Sequence, residues 1–245
     1  MACLAGGYIK CPQIAFEGIQ GQSGGMAEHK IVDADQCFVL PDGVDLRLGA
    51  LVEPMAVAWR GVSHARPTPD GGALVVGGGP IGIGAYVALK AAGVKTIVVS
   101  EPSAFRREVL TRVGVEHVVD PVTEILVDRV RELTDGLGVE VAIDCAGAPQ
   151  AFNKALSALR FDSRMVVVAS YEAPIELHYS SLAGEKSIRS SAVYTREDFQ
   201  AVIESMQNGL YPADAGWVEV VGFDDVERAL HDLRTGKGMK VLVEP

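Results

Sequence analysis

Residues 73–101 constrain the fold more than any other stretch. An apolar run, "ALVV", leads into "GGGPIGIGAY", where Gly77, Gly79 and Gly82 have the spacing G-x-G-x-x-G. A helix-like segment follows, and then "TIVVS" ends beside Glu101, 19 positions after Gly82. A glycine triplet alone is a weak signal, but this one stands between a strand and a helix with an acidic residue at the distance a dinucleotide site requires. Each residue then has a task. Gly77 makes the tight turn, Gly79 lets the backbone approach a pyrophosphate, and Gly82 lets helix and strand pack closely. Pro80 and Ile81 open the helix, where the missing proline N–H costs nothing, and the helix N-terminus faces the diphosphate. Glu101 can accept from both hydroxyls of the adenosine ribose and repels a 2′-phosphate, which favours NAD over NADP. Arg106 and Arg107 pull the other way, and Arg106 fits adenine contact and a solvated helix position equally. A glycine turn in a related fold without dinucleotide, such as a methyltransferase, is the competing reading.

Around this motif the chain alternates apolar runs with amphipathic ones. Strands are expected at "ALVV", "TIVVS", "HVV", "VEVAIDC", "RMVVVAS" and "SIRSSAV", with helices at "IGIGAYVALKAAG", "AFRREVLTRVG", "EILVDRVREL" and after Pro149. Such alternation implies a parallel sheet covered on both faces, a doubly wound α/β domain over residues 55–193. Residues 1–54 and 194–245 read differently. The glycine-rich opening suggests loops, followed by strands at "MAEHKIV" and "CFVL". Asp45 is a plausible N-cap for helical segments bent near Pro54, and "RPTPDGG" breaks the chain after them. Thr195 and Asp224 fit helix-opening caps, "NG" at 208–209 fits a helix stop, and "MKVLVEP" a last strand.

At 48% hydrophobic content, 245 residues can build a sizeable core. A net charge of −10 with no Lys/Arg cluster argues against nucleic acid, leaving small molecules and other subunits as partners. No apolar stretch suits a bilayer and the N-terminus lacks a signal pattern, so no membrane partner and a cytoplasmic location are expected. Cys3, Cys11, Cys37 and Cys145 are too few and too irregularly spaced for a disulfide scaffold, so metal ligation or burial is the better reading. The five histidines are scattered without ligand spacing.

Taken together, "GGMAEHKIV", "LPDGVD", "ALVEPMAVAWRGV", "VVGGGPIGIGAY", "VVSEPSAFRREVL", "AIDCAGAP" and "GKGMKVLV" resemble the zinc-containing medium-chain alcohol/polyol dehydrogenases, especially the sorbitol and 2,3-butanediol dehydrogenase branch. The resemblance implies a Rossmann domain plus part of a β-rich, GroES-like catalytic lobe. It also implies NAD and zinc as cofactors, a secondary alcohol, diol or polyol interconverted with its ketone by hydride transfer, and a homodimer or homotetramer joined through the "SIRSSAV" edge strand. By the same resemblance Glu53 is a catalytic-zinc ligand, and Cys3 and Cys11 are the last two positions of a structural zinc loop. Cys145 and Ala146 contact the cofactor through the backbone. Val168, Ala169 and Ser170 end a strand and should line the nicotinamide side. The family's other zinc ligands and its proton-relay hydroxyl would precede Met1, so the family's N-terminal part is expected to be lacking.

Three readings of function follow: a zinc-assisted NAD dehydrogenase whose remaining ligands lie upstream, a truncated NAD-binding chain without turnover, and a metal-free reductase. With most of a β-rich lobe lacking, apolar surface should be exposed around residues 25–60 and 216–245, and Glu53 should be either exposed or paired with something other than a metal.

Overall fold

In the computed structural model, which describes residues 8–19 and 24–244, the apolar segments pair into one parallel sheet. β1 (Ala73–Val76), β2 (Ile97–Ser100), β3 (His117–Val119), β4 (Val139–Asp144), β5 (Leu159–Val167) and β6 (Ser187–Ser190) lie in the order β3-β2-β1-β4-β5-β6. Every neighbouring pair is parallel. Chain order reverses between β1 and β4, which opens a crevice at the carboxyl ends of those strands.

Period-2 geometry explains why these strands are apolar on both sides. Ala73 and Val75 of β1 join Ile97, Val99, Val141 and Ile143 in one layer, closed by α2 (Val52–Ala65) and α3 (Pro80–Ala91). Leu74 and Val76 join Val98, Ala142 and Met165 in the other, closed by α5 (Leu126–Glu132) and α6 (Pro149–Ala158). Each Val, Leu or Ile fully buried in these layers contributes roughly 1.5–3 kcal/mol. α4 (Ala104–Val113) connects β2 to β3. It is capped by Ser103, whose Oγ accepts from Arg106 N, and stopped by Gly114 in the left-handed region.

The flanking segments depart from expectation in several places. Neither 26–32 nor 37–40 forms a strand; only a 3₁₀ turn, Ala34–Gln36, lies there. A strand needs a ladder partner, and among the described residues none is offered: Ile31 is 99% and Val39 91% exposed. Asp45 does cap α1 (Leu46–Gly49), accepting from Leu48 N at 2.8 Å. There is no bend at Pro54, because the chain breaks earlier, at Ala50–Leu51. α2 then places Pro54 in its first turn, where its N–H would have no helical partner.

α7 (Arg196–Gln207) opens with a full capping box, Thr195 with Asp198, and ends at Asn208 before Gly209. α8 (Val226–Arg234) does not start from Asp224. A 3₁₀ turn, Phe223–Asp225, precedes it, and Asp225 bonds to Arg228 at 3.3 Å instead of capping. β7 (Val218–Gly222) and β8 (Lys240–Glu244) form a parallel pair. Exposed apolar surface was expected here, yet Trp217, Val221, Met239 and Leu242 are buried. Trp217, Met239 and Leu242 belong to the α2/α3 layer, which also takes in Val202, Ile203 and Met206 of α7. Of the larger apolar side chains in this stretch, Phe223 and Leu230 remain exposed.

Candidate cofactor-binding site

A cleft of about 580 Å³ lies at the carboxyl ends of β1, β2 and β4. Its floor is the glycine turn. Gly77 holds φ +94°, a left-handed conformation that a side chain would strain. A Cβ on Gly82 would stand 2.0 Å from Gly77 O, so only glycine lets α3 lie against the turn. Gly79 is the N-cap of α3 and has no side chain to cap it. A Cβ there would meet only Arg106 Nη1, at 3.7 Å, so the space beside this end of the helix is open. Pro80 is the first helical residue, and Ile81 follows it on the cleft wall.

Glu101 is 3% exposed and would be costly to hold there unpaired. Its Oε2 accepts from Gly78 N at 2.7 Å and its Oε1 from Ser103 N at 2.9 Å, while Arg106 Nη1 lies 3.9 Å away. A carboxylate has about four acceptor sites, so both oxygens keep capacity for a ligand's hydroxyls. Glu101 and Arg106 therefore stand together on the cleft wall, as the spacing implies.

At the end of β4, Asp144 is 1% exposed. Its Oδ1 accepts from Ala146 N at 3.0 Å and Gly147 N at 3.3 Å, and its Oδ2 accepts from the Tyr171 hydroxyl. Cys145 and Ala146 are thereby set into the cleft wall. Burial, reinforced by the Asp144 charge, pushes the Cys145 thiol well above its ordinary range. Burial and the bond to Asp144 do the same to the Tyr171 hydroxyl.

Other expected site residues fall elsewhere. Val168, Ala169 and Ser170 follow β5 and do not line this cleft; Val168 N and Ala169 N are tied to Asp144 O at 2.9 and 3.1 Å. Glu53 stands exposed in the first turn of α2. Cys11 is half-buried and free, and Cys3 lies outside the described residues. Among the described residues no three His, Cys, Asp or Glu side chains gather to hold a metal ion, so these residues do not by themselves fit a zinc centre. Sequence reasoning missed part of the cleft: Pro121, Val122 and Leu126 after β3, and Gln150 and Lys154 on α6. The available signal was position, since Pro121, Val122 and Leu126 follow the carboxyl end of β3, and Gln150 and Lys154 follow that of β4, at the same end of the sheet as the glycine turn.

The signature of one family, described as zinc-binding dehydrogenase, matches residues 80–208, just over half of the chain. The chain belongs to the zinc-binding dehydrogenase family. It is 34% identical to the "Probable diacetyl reductase [(R)-acetoin forming] 2" of Saccharomyces cerevisiae, over 94% of this chain and 56% of that one. It is 33% identical to the (R,R)-butanediol dehydrogenase of Bacillus subtilis, over 98% of this chain and 70% of that one. The crystal structure of a 2R,3R-butanediol dehydrogenase from Bacillus subtilis superposes with a TM-score of 0.78, covering 85% of this chain and 60% of that one at 33% identity. An alcohol dehydrogenase of Escherichia coli CFT073 complexed with NADH shares the fold, with a TM-score of 0.88 at 24% identity over 99% of this chain and 72% of that one. The chain thus spans little more than half the length of the yeast reductase it matches.

Proposed function

We propose that this chain binds NAD and forms the nucleotide-binding part of a dehydrogenase that interconverts a secondary alcohol, diol or polyol with its ketone. The observation that carries this reading is Glu101, buried and doubly hydrogen-bonded on the wall of a cleft whose floor is the Gly77–Gly82 turn. Similarity to diol and acetoin oxidoreductases supports the substrate class.

The fold assigns the binding tasks. First-turn N–H groups of α3 meet the diphosphate at the positive end of the helix dipole. Glu101 accepts from the adenosine ribose. Pro121, Val122 and Leu126 offer apolar surface to the base, and the backbone of Cys145 and Ala146 holds the side facing the rest of the nucleotide. Bound NAD would supply the hydride acceptor. Residues 55–193 serve as the nucleotide domain, and residues 1–54 and 194–245 as part of a catalytic lobe that shares its core with α2. β6 is exposed along its whole length, an unpaired edge suited to a homodimer or homotetramer. Free Cys11, Cys37 and Cys145 suit the reducing cytoplasm. A second reading, NAD binding without turnover, draws support from the exposure of Glu53.

Fluorescence titration of the chain with NADH tests the first step. Saturable binding is expected, weakened about tenfold by Glu101→Gln, which cannot accept from the ribose and both backbone N–H groups equally well. Absence of saturable binding overturns the proposal. Zinc content by mass spectrometry, with alcohol oxidation assayed on the same sample, separates the two readings: turnover supports the dehydrogenase, and binding without turnover or zinc supports the second.

A further inference from the structure

Arg107 and Asp120 do not line the cleft, yet they join two of its walls. Arg107 Nη1 donates to Glu101 O at 3.0 Å and to Pro102 O at 2.6 Å, and Arg107 Nη2 lies 2.9 Å from Asp120 Oδ2. Asp120 uses its other oxygen, Oδ1, to accept from Val122 N at 3.0 Å, while its own N–H donates to Glu124 Oε1 at 2.9 Å. One guanidinium and one carboxylate therefore tie the loop leaving β2 to the loop leaving β3. The first loop carries Glu101 and Pro102, the second Pro121 and Val122, and all four face the cleft. The two side chains are only 24% and 17% exposed, so the pair is less screened than an ordinary surface ion pair.

We propose that the Arg107–Asp120 bridge is a positioning device that sets the preference for NAD over NADP. This rests on the dinucleotide reading above. Discrimination by Glu101 needs its carboxylate within hydrogen-bond distance of the ribose 2′-hydroxyl, where the same charge opposes a 2′-phosphate most strongly. A carboxylate on a loosened loop loses the hydroxyl and tolerates the phosphate. The bridge acts from behind by anchoring the main chain of Glu101 itself.

Arg107→Gln and Asp120→Asn, each in the full chain, test this by NADH and NADPH fluorescence titration. The two variants change charge in opposite senses. A purely long-range charge effect would raise the NADH preference in Arg107→Gln and lower it in Asp120→Asn, because NADPH is the more negative ligand. Loss of the bridge lowers the preference in both, by about tenfold. An unchanged preference in either variant, or opposite movements in the two, overturns the proposal while leaving the dinucleotide reading intact. Failure of the unsubstituted chain to bind NADH removes both. Arg107→Lys, which keeps the charge but cannot span both loops, replaces Arg107→Gln if that variant's melting curve shows it unfolded, and it too should lower the preference.

Discussion

The Tyr171 hydroxyl donates to Asp144 Oδ2 while the backbone N–H groups of Ala146 and Gly147 donate to Oδ1 of the same carboxylate. A residue beyond β5 thus helps to hold the loop after β4, the loop that sets Cys145 and Ala146 into the cleft. Tyr171→Phe keeps the ring against Phe152, 6.0 Å between centroids, and removes only this bond. The expected cost is about 1–2 kcal/mol in urea denaturation, because a buried carboxylate loses its side-chain donor, with a few-fold weaker affinity for NADH. Unchanged stability and affinity would show that the bond does not shape the loop.

Much of this arrangement was legible in the residues themselves. The sheet, the glycine turn and Glu101 were readable because buried strands, tight turns and helix caps impose local residue choices, as at Gly82 and Thr195. The strands expected at 26–32 and 37–40 were not realised, because a strand depends on a partner that sequence periodicity cannot supply. Tyr171, Arg107 and Asp120 were missed as organisers of the site for a related reason. Tyr171 bonds to a carboxylate 27 residues away, and Arg107 on α4 pairs with Asp120 at the end of β3, partnerships that a local sequence pattern does not reveal.

Gly82→Ala places a methyl group 2.0 Å from Gly77 O, where only a shift of α3 away from β1 relieves the clash. Equilibrium unfolding should report a loss of about 2–3 kcal/mol from overpacking. NADH titration should show binding abolished or nearly so, since the helix N-terminus moves with the turn. A variant that binds like the parent would mean that the turn absorbs the methyl group.

Stability should fall at alkaline pH through two tyrosines. Burial raises the hydroxyl of Tyr211 above its ordinary value of 10.0, and burial with the Asp144 bond does the same for Tyr171. A group raised in the folded state stabilises fully below its unfolded value, and that contribution is lost as pH climbs through the folded one. Urea midpoints should therefore hold steady up to about pH 10 and decline above it. The buried Tyr211 hydroxyl has no hydrogen-bond partner among the described residues, so Tyr211→Phe should reduce the alkaline decline at little or no cost at pH 7. A decline of the same size in Tyr211→Phe would remove Tyr211 from the explanation.

Thiol labelling should separate the cysteines by environment. Cys37 is exposed, whereas the Cys145 thiol is raised by burial and by Asp144, which leaves little thiolate at pH 8. Peptide mass spectrometry after timed alkylation should find Cys37 modified at least about tenfold faster than Cys145. Saturating NADH should slow Cys145 further without affecting Cys37. Equal rates at the two positions would contradict the cleft geometry.

The division of β1 between two layers has a consequence for how this chain can tolerate change in length. Ala73 and Val75 face α2 and α3, and Leu74 and Val76 face α5 and α6, with Gly77 immediately after them. The strand therefore has a parity. One residue inserted or deleted within it would swap the two faces and displace the turn, and the whole cleft depends on that turn. An exposed loop carries no such parity, and drift in length between related chains should be confined to segments of that kind.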